Sequence, residues 1–407
     1  MFAGPVESYI IQWIELTFRW VHMIVGIAWI GASFYFNWLE NRLERSHFQS
    51  TELEGDLWAI HGGGFYHVSK YQVAPDKLPS TLHWFKWEAY ATWFTGLALL
   101  VMIFYVDARI YLLDSSLNAL TPWQGIAIGI AVLVISWVLY DLLCRSPIAR
   151  QSQLVALVVF VYFSILAFAL CQMFSGRGAY IHVGAAIGTI MVLNVMAVII
   201  PSQKSLVHAM KTGGEKDAAL GAAALLRSRH NNYFTLPVLF TMIAGHYPST
   251  YSSAWNWAIL IGLALVGILV RHYFNVRHLG GPKWWLLAVA FAGLLAIVAL
   301  SVPKSVFQSS APEAVGMNTV RGIIHKRCTV CHSQSPVQAG FQDPPGGVIL
   351  DTDEHIFNLS SRIFTTTVAT RSMPIGNLTQ MTEDERAAVS SWYAELNTKT
   401  QIAPGSN

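Results

Sequence analysis

The stretch QLVALVVFVYFSILAFALCQMF at residues 153 to 174 decides the fold class. It is mainly apolar and carries no charge. A bilayer core about 30 Å thick takes roughly 20 mainly apolar residues per helix, so this segment reads as a membrane span. Outward from it lie comparable stretches at 123 to 144 and 179 to 201, then at 9 to 39, 89 to 106, 232 to 247, 254 to 274 and 283 to 302. The chain is 54% hydrophobic and only 12% charged, about half the charged share of a soluble domain. Fifteen Trp and fifteen Tyr suit the aromatic belts of a protein whose surroundings are membrane lipid. A net charge of +3 is too mild for nucleic acid, and no basic cluster is interleaved with aromatic rings as a base-stacking groove requires. The expected fold is all-α: a polytopic membrane helix bundle of about eight transmembrane helices over residues 1 to 302, followed by a smaller unit.

Alternate connections differ in Lys and Arg, which orients the bundle. Residues 40 to 88 carry Arg42, Arg45, Lys70, Lys77 and Lys86, the next connection on that side has Arg145 and Arg150, and residues 202 to 231 have Lys204, Lys211, Lys216, Arg227 and Arg229. Arg271, Arg277 and Lys283 complete that side, against Arg109 and Arg177 opposite, a bias of fifteen to two. Both termini are therefore expected on the non-cytoplasmic side. The first stretch is too long for a cleavable signal and no small-residue cleavage site follows it, so it is expected to be retained. Residues 303 to 314, PKSVFQSSAPEA, read as a linker, and 315 to 400 as a separate domain. An Ala-rich run near 218 to 226 predicts a cytoplasmic helix between the fifth and sixth spans.

Cys328, Thr329, Val330, Cys331 and His332 spell C-x-x-C-H, the attachment motif of a c-type haem. Two thiols at i and i+3 on one turn can add to the two vinyl groups, and the adjacent His is then aimed at the iron. A redox C-x-x-C or half a zinc site would use the same pair, but no second ligand pair follows. The domain thus reads as a small class I-like cytochrome c domain with one covalent haem, Cys328 and Cys331 attached, and His332 and Met373 as axial iron ligands. Met381 and His355 are the rivals of Met373. Met381 directly precedes Thr382 and Glu385, a capping box that starts the last helix. Val389, Trp392, Tyr393 and Leu396 recur at helical spacing, a face expected to pack on the helix leading into Cys328. The other cysteines, Cys144 and Cys171, lie in apolar runs and read as inert.

Charged groups within a span are costly and point to function by default. In the first span Glu15, Arg19 and His22 share a face, and Gly26 one turn on leaves room for a flat ligand such as a porphyrin or a purine. His182 and His246, near the outer ends of the fifth and sixth spans, are candidate ligands of an additional b-type haem. On the cytoplasmic side His61, Gly62, Gly63, Gly64, Phe65, Tyr66 and His67 form a Gly run bracketed by histidines, without the G-K-[ST] ending of a P-loop. It reads either as a lid offering polar groups to a planar anion or as an amphipathic interfacial loop.

The whole chain resembles the membrane-bound urate oxidase family, the PuuD-type urate hydroxylases. The resemblance is carried by FRWVHMIVGIAWIGASFYFNWLE at 18 to 40, GFYHVSKYQVAPDKLPSTLHWFKWEAYATWFTG at 64 to 96, and the tail with CTVCH at 328 to 332 and MPIGNLTQMTEDER at 373 to 386. The tail motifs occur in many small cytochromes c, so the membrane segments carry the specificity. The resemblance implies hydroxylation of urate to 5-hydroxyisourate with water as oxygen source, no hydrogen peroxide, and electrons passed through haem c to a respiratory cytochrome oxidase or a soluble cytochrome c. It implies a bacterial inner-membrane protein with a periplasmic cytochrome domain. Within that reading Arg19 would hold the purine anion and His22 or Glu88 would take the proton as water attacks. Urate made in the cytoplasm lies a bilayer away from an outer haem, so either its site opens toward the outer face or a second redox centre bridges the gap. The alternatives are oxidation of a quinol or another small reductant with the same electron exit, and a transporter or assembly protein bearing a cytochrome c domain.

Overall fold

The computed structural model describes residues 5–45, 52–75, 77–114, 116–215, 217–277, 283–302 and 315–402. Helices occupy each of the eight predicted stretches: α1 (Pro5–Arg42), α2 (Trp87–Leu100), α4 (Pro122–Arg145), α5 (Ser152–Met173), α6 (Gly176–Leu193), α8 (Ala218–Ala244), α10 (Asn256–Val276) and α11 (Trp285–Ser301). Two short helices, α3 (Ala108–Tyr111) and α9 (Pro248–Tyr251), cap one end of the bundle. Among the described residues six helices are long and apolar enough to cross a membrane, and α11 is a shorter apolar helix. The boundaries have local causes. Pro122 opens α4 behind a reciprocal cap in which Thr121 accepts from the Gln124 amide and the Gln124 side chain accepts from the Thr121 amide.

The long connection expected at 202 to 231 is largely helix. Helix α6 runs on through a widened turn at Asn194–Ile199 into α7 (Ile200–Thr212). Pro201 lacks the N–H that would bond the carbonyl of residue 197, which favours such a turn. Gly213, at φ 69°, ends α7, and Asp217 caps α8 four residues later. The Ala-rich run is therefore continuous with the sixth apolar stretch rather than a separate helix. Nothing between them breaks the helix, and Arg227, counted among the loop cations, faces inward at 3% exposure.

The connection at 40 to 88 departs from the all-α expectation. Strands β1 (Leu53–His61) and β2 (Gly64–Tyr71) pair antiparallel. Gly62 and Gly63 both take positive φ, 58° and 79°, the two-residue turn that glycine favours. Trp58 stacks on His67 across the ladder at 4.4 Å, and His67 Nε2 meets Asp56 at 2.6 Å. Lys70 bridges Glu40 and Glu54, which ties the hairpin to the end of α1.

In the tail, α12 (Met317–Arg327), α13 (Asp353–Asn358), α14 (Ser360–Phe364) and α15 (Glu383–Ile402) enclose a second core of Val320, Ile324, Leu350, Ile356, Val389 and Trp392. Val389 and Trp392 pack with the α12 side chains, and Thr382 and Glu385 form the capping box ahead of α15. Met381 is 3% exposed in that core. The tail meets the bundle at α3. A Cβ on Gly376 would lie 2.8 Å from the Leu113 carbonyl oxygen, and one on Gly340 would lie 2.7 Å from Ile110 Cδ1. The linker at 303 to 314 lies outside the described residues.

Candidate functional site

Cys328, Cys331 and His332 occupy the turn that closes α12, where the amides of Cys331 and His332 both donate to the Cys328 carbonyl, at 3.0 and 2.8 Å. His332 Nδ1 donates to the Val348 carbonyl at 3.1 Å. A carbonyl only accepts, so the ring's lone pair lies on Nε2. Burial lowers the His332 pKa and keeps the ring neutral, the bond to Val348 opposing this. Burial pushes the Cys328 thiol up to about 12. Both cysteines are free thiols. Two thiols on one turn beside a tautomer-locked neutral imidazole fit covalent haem attachment and axial ligation. No group of three or more His, Cys, Asp or Glu able to hold a metal ion occurs among the described residues.

Met373 sits in a half-buried loop, its amide bonded to the Thr366 carbonyl at 2.9 Å and its own carbonyl accepting from Arg386 at 3.0 Å. This loop borders a cavity of about 1680 Å³ between tail and bundle, lined by Tyr111, Arg177 and Asn256 on one side and Arg371, Met373 and Arg386 on the other. His355 keeps a buried Nδ1 without a partner.

The polar groups of the first span do not converge. Arg19 Nε pairs with Glu15 at 2.9 Å, and its side chain is 44% exposed. His22 turns instead to Thr95, with Nδ1 2.9 Å from Oγ1, and packs where a Cβ on Gly96 would lie 3.0 Å from its ring. Glu88 is in the first turn of α2, about 10 Å along the helix from Thr95.

His182 is fully buried, with Nδ1 donating to the Gly178 carbonyl at 2.7 Å and Nε2 3.1 Å from the Tyr105 hydroxyl. Both its nitrogens are engaged by protein groups. His246 follows α8 on an exposed turn.

A polar network that the sequence reading did not single out lies at the other end of the bundle. Arg227 Nη2 meets Asp141 at 2.6 Å, and its Nη1 donates to Asn194 at 3.2 Å. Asn194, fully buried in the widened turn, donates to Asn231 at 2.8 Å and to the Tyr140 hydroxyl at 3.1 Å. Next to it, Asn232 Oδ1 accepts from Arg271 Nε at 2.8 Å and from Asn275 at 2.9 Å. Arg271 is 8% exposed, and its guanidinium lies 3.9 Å from the centroid of the Phe34 ring. Asn256 opens α10 beside the tail cavity, so Arg271 stands about 22 Å farther along that helix. Such a set offers donors and an aromatic face inside an apolar surrounding, which suits recognition of a small planar anion.

The family described as "Urate oxidase N-terminal" matches residues 8–302, which include the hairpin and the whole network and end before the tail. No curated protein and no solved structure shows a match.

Proposed function

The chain belongs to the urate oxidase N-terminal family, and on that premise we propose that it is an oxidoreductase that converts urate and water to 5-hydroxyisourate within the helix bundle. From the urate monoanion the half-reaction releases one proton and two electrons, takes its oxygen from water and makes no hydrogen peroxide. The family match over residues 8–302 is the observation that carries this reading.

The electron exit rests on the tail. Cys328 and Cys331 would hold haem c through thioethers, and His332 and Met373 would ligate its iron; bound there, the group would supply one-electron acceptance toward a respiratory cytochrome oxidase or a soluble cytochrome c. Around that position the chain's own groups hold the ligands still. The Val348 carbonyl locks the His332 tautomer, and Arg386 spans the Thr367 and Met373 carbonyls. Gly340 and Gly376 let the tail close on α3. The cation distribution supports an inner-membrane protein whose termini and tail are periplasmic.

The reading is tested by anaerobic mixing of oxidised, purified protein with urate while the haem c absorption bands are recorded. Reduction by urate, lost in Cys331→Ala, is expected. Reduction by a quinol but not by urate would overturn the substrate and leave the electron-transfer architecture standing.

A further inference from the structure

A guanidinium inside an apolar bundle is costly unless a counter-charge or acceptor oxygens meet it. Arg271 is buried on α10 with no described carboxylate in ion-pair range, because Asp141, the acidic side chain of the neighbouring network, is shared by Arg145 and Arg227. Its Nε is taken by Asn232, and no hydrogen bond engages its terminal nitrogens among the described residues. Asn232 is fully buried, and its Nδ2 has no partner. The orientation of that amide is not arbitrary. Two donors, from Arg271 and Asn275, converge on Oδ1, and a flipped amide would set three donors against one another. Nδ2 is therefore a buried donor without a protein acceptor, a condition that natural interiors seldom tolerate unless a ligand, an ion or an ordered water meets the group.

We infer that Arg271, Asn232 and Phe34 form the binding subsite for the urate anion. The inference rests on the urate reading above and assigns residues to it. Near neutral pH urate is a planar monoanion whose rim alternates carbonyl oxygens with ring nitrogens. The terminal nitrogens of an arginine present two parallel N–H groups to such a rim, which lysine cannot do. Nδ2 of Asn232 lies within about 5 Å of the guanidinium Nε, so one heterocycle reaches both. Phe34 holds the guanidinium carbon over its ring face and so fixes where the anion is met. The ligand supplies the negative charge and the acceptor that this cluster lacks.

The test uses the full-length protein held reduced and anaerobic, so that bound urate is not oxidised, with equilibrium dialysis of labelled urate. Asn232→Asp keeps the size of the side chain, still accepts from Arg271 and Asn275, and gives the guanidinium an internal counter-ion. It should fold with an unfolding temperature no lower than the native protein's and bind urate at least about 100-fold more weakly. Arg271→Lys keeps the charge without the fork and should weaken binding by roughly tenfold or more. Inorganic phosphate at the same concentration should not displace urate. Undiminished binding by Asn232→Asp, or displacement by phosphate, would overturn the subsite while native binding and haem reduction by urate kept the reaction. Absence of both binding and reduction in the native protein would overturn the reaction and the subsite together.

Discussion

The guanidinium of Arg271, on α10, lies 3.9 Å from the centroid of the Phe34 ring, on α1. A desolvated contact of this kind is worth up to about 2 kcal/mol. Phe34→Leu, which keeps an apolar side chain but removes the quadrupole, should raise the KM for urate by about tenfold. Phe34→Trp should keep KM within a few fold, because indole offers the stronger face. Steady-state kinetics with both variants checks the pair.

Arg227 and Asp141 form a mostly buried ion pair at 2.6 Å, with side chains 4% and 15% exposed. Asp141→Asn leaves the arginine charge without compensation and should destabilise the bundle by about 3–5 kcal/mol. Replacing both partners with apolar residues of similar size should recover most of that loss. Thermal unfolding of the single and double variants in detergent measures the difference.

Within the tail, Arg327 Nε binds both carboxylate oxygens of Glu385, at 3.0 and 2.9 Å, joining α12 to α15. Burial raises the Glu385 pKa, but bonds from Arg327 and Thr382 and the charges of Arg327 and Lys326 outweigh it and hold the carboxyl below its ordinary 4.5. A folded-state pKa below the unfolded one adds stability above pH 4.5 that is lost as the pH falls through the folded value. With the intrinsic pH dependence of exchange divided out, amide protection in α12 and α15 should fall below that pH, by up to about fivefold from this pair. Glu385→Gln should exchange faster at neutral pH and show a flatter acid dependence.

Gly376 meets α3 with φ 54°, and a Cβ there would lie 2.8 Å from the Leu113 carbonyl oxygen. Gly376→Val should push the tail off the bundle while its own core, on the far side of the contact, stays intact. The expected signature is at least a tenfold slower reduction of the tail by urate, with unchanged reduction by a small soluble reductant. Stopped-flow measurements with each donor separate the two.

The positions of the helices were legible because apolar runs of span length have few other readings. Two local features of the tail were legible: the Thr382 and Glu385 cap and the Val389 and Trp392 face follow local spacing rules, and both are present. The hairpin was not. Leu53–His61 is half-exposed on both faces and shows no clean alternation, so its Gly run read as loose chain rather than as a turn. The polar network was less legible still. Phe34, Asp141, Asn232 and Arg271 come from four helices far apart in sequence, and no periodicity brings them together. Arg271 entered only as a cation of a connection, and Asn232 only as the start of the stretch at 232 to 247. Arg19 and His22 share a helix face as expected, yet sharing a face does not give them a common partner: one takes Glu15 and the other Thr95.

Helix α10 begins at the tail cavity and reaches Arg271 about 22 Å later, most of the way through a bilayer core. On the proposed reading, an electron taken from urate beside Arg271 and delivered to the tail would cross most of the membrane's electric field. With the cytoplasm negative, its outward passage is downhill by up to about 2.3 kcal/mol per 100 mV. In oriented vesicles, urate-driven reduction of the tail should quicken when the interior is made negative and slow when an ionophore collapses the potential. On the proposed reading, the depth of one arginine would tie purine oxidation to the energised state of the membrane and make the reaction a consumer of that potential.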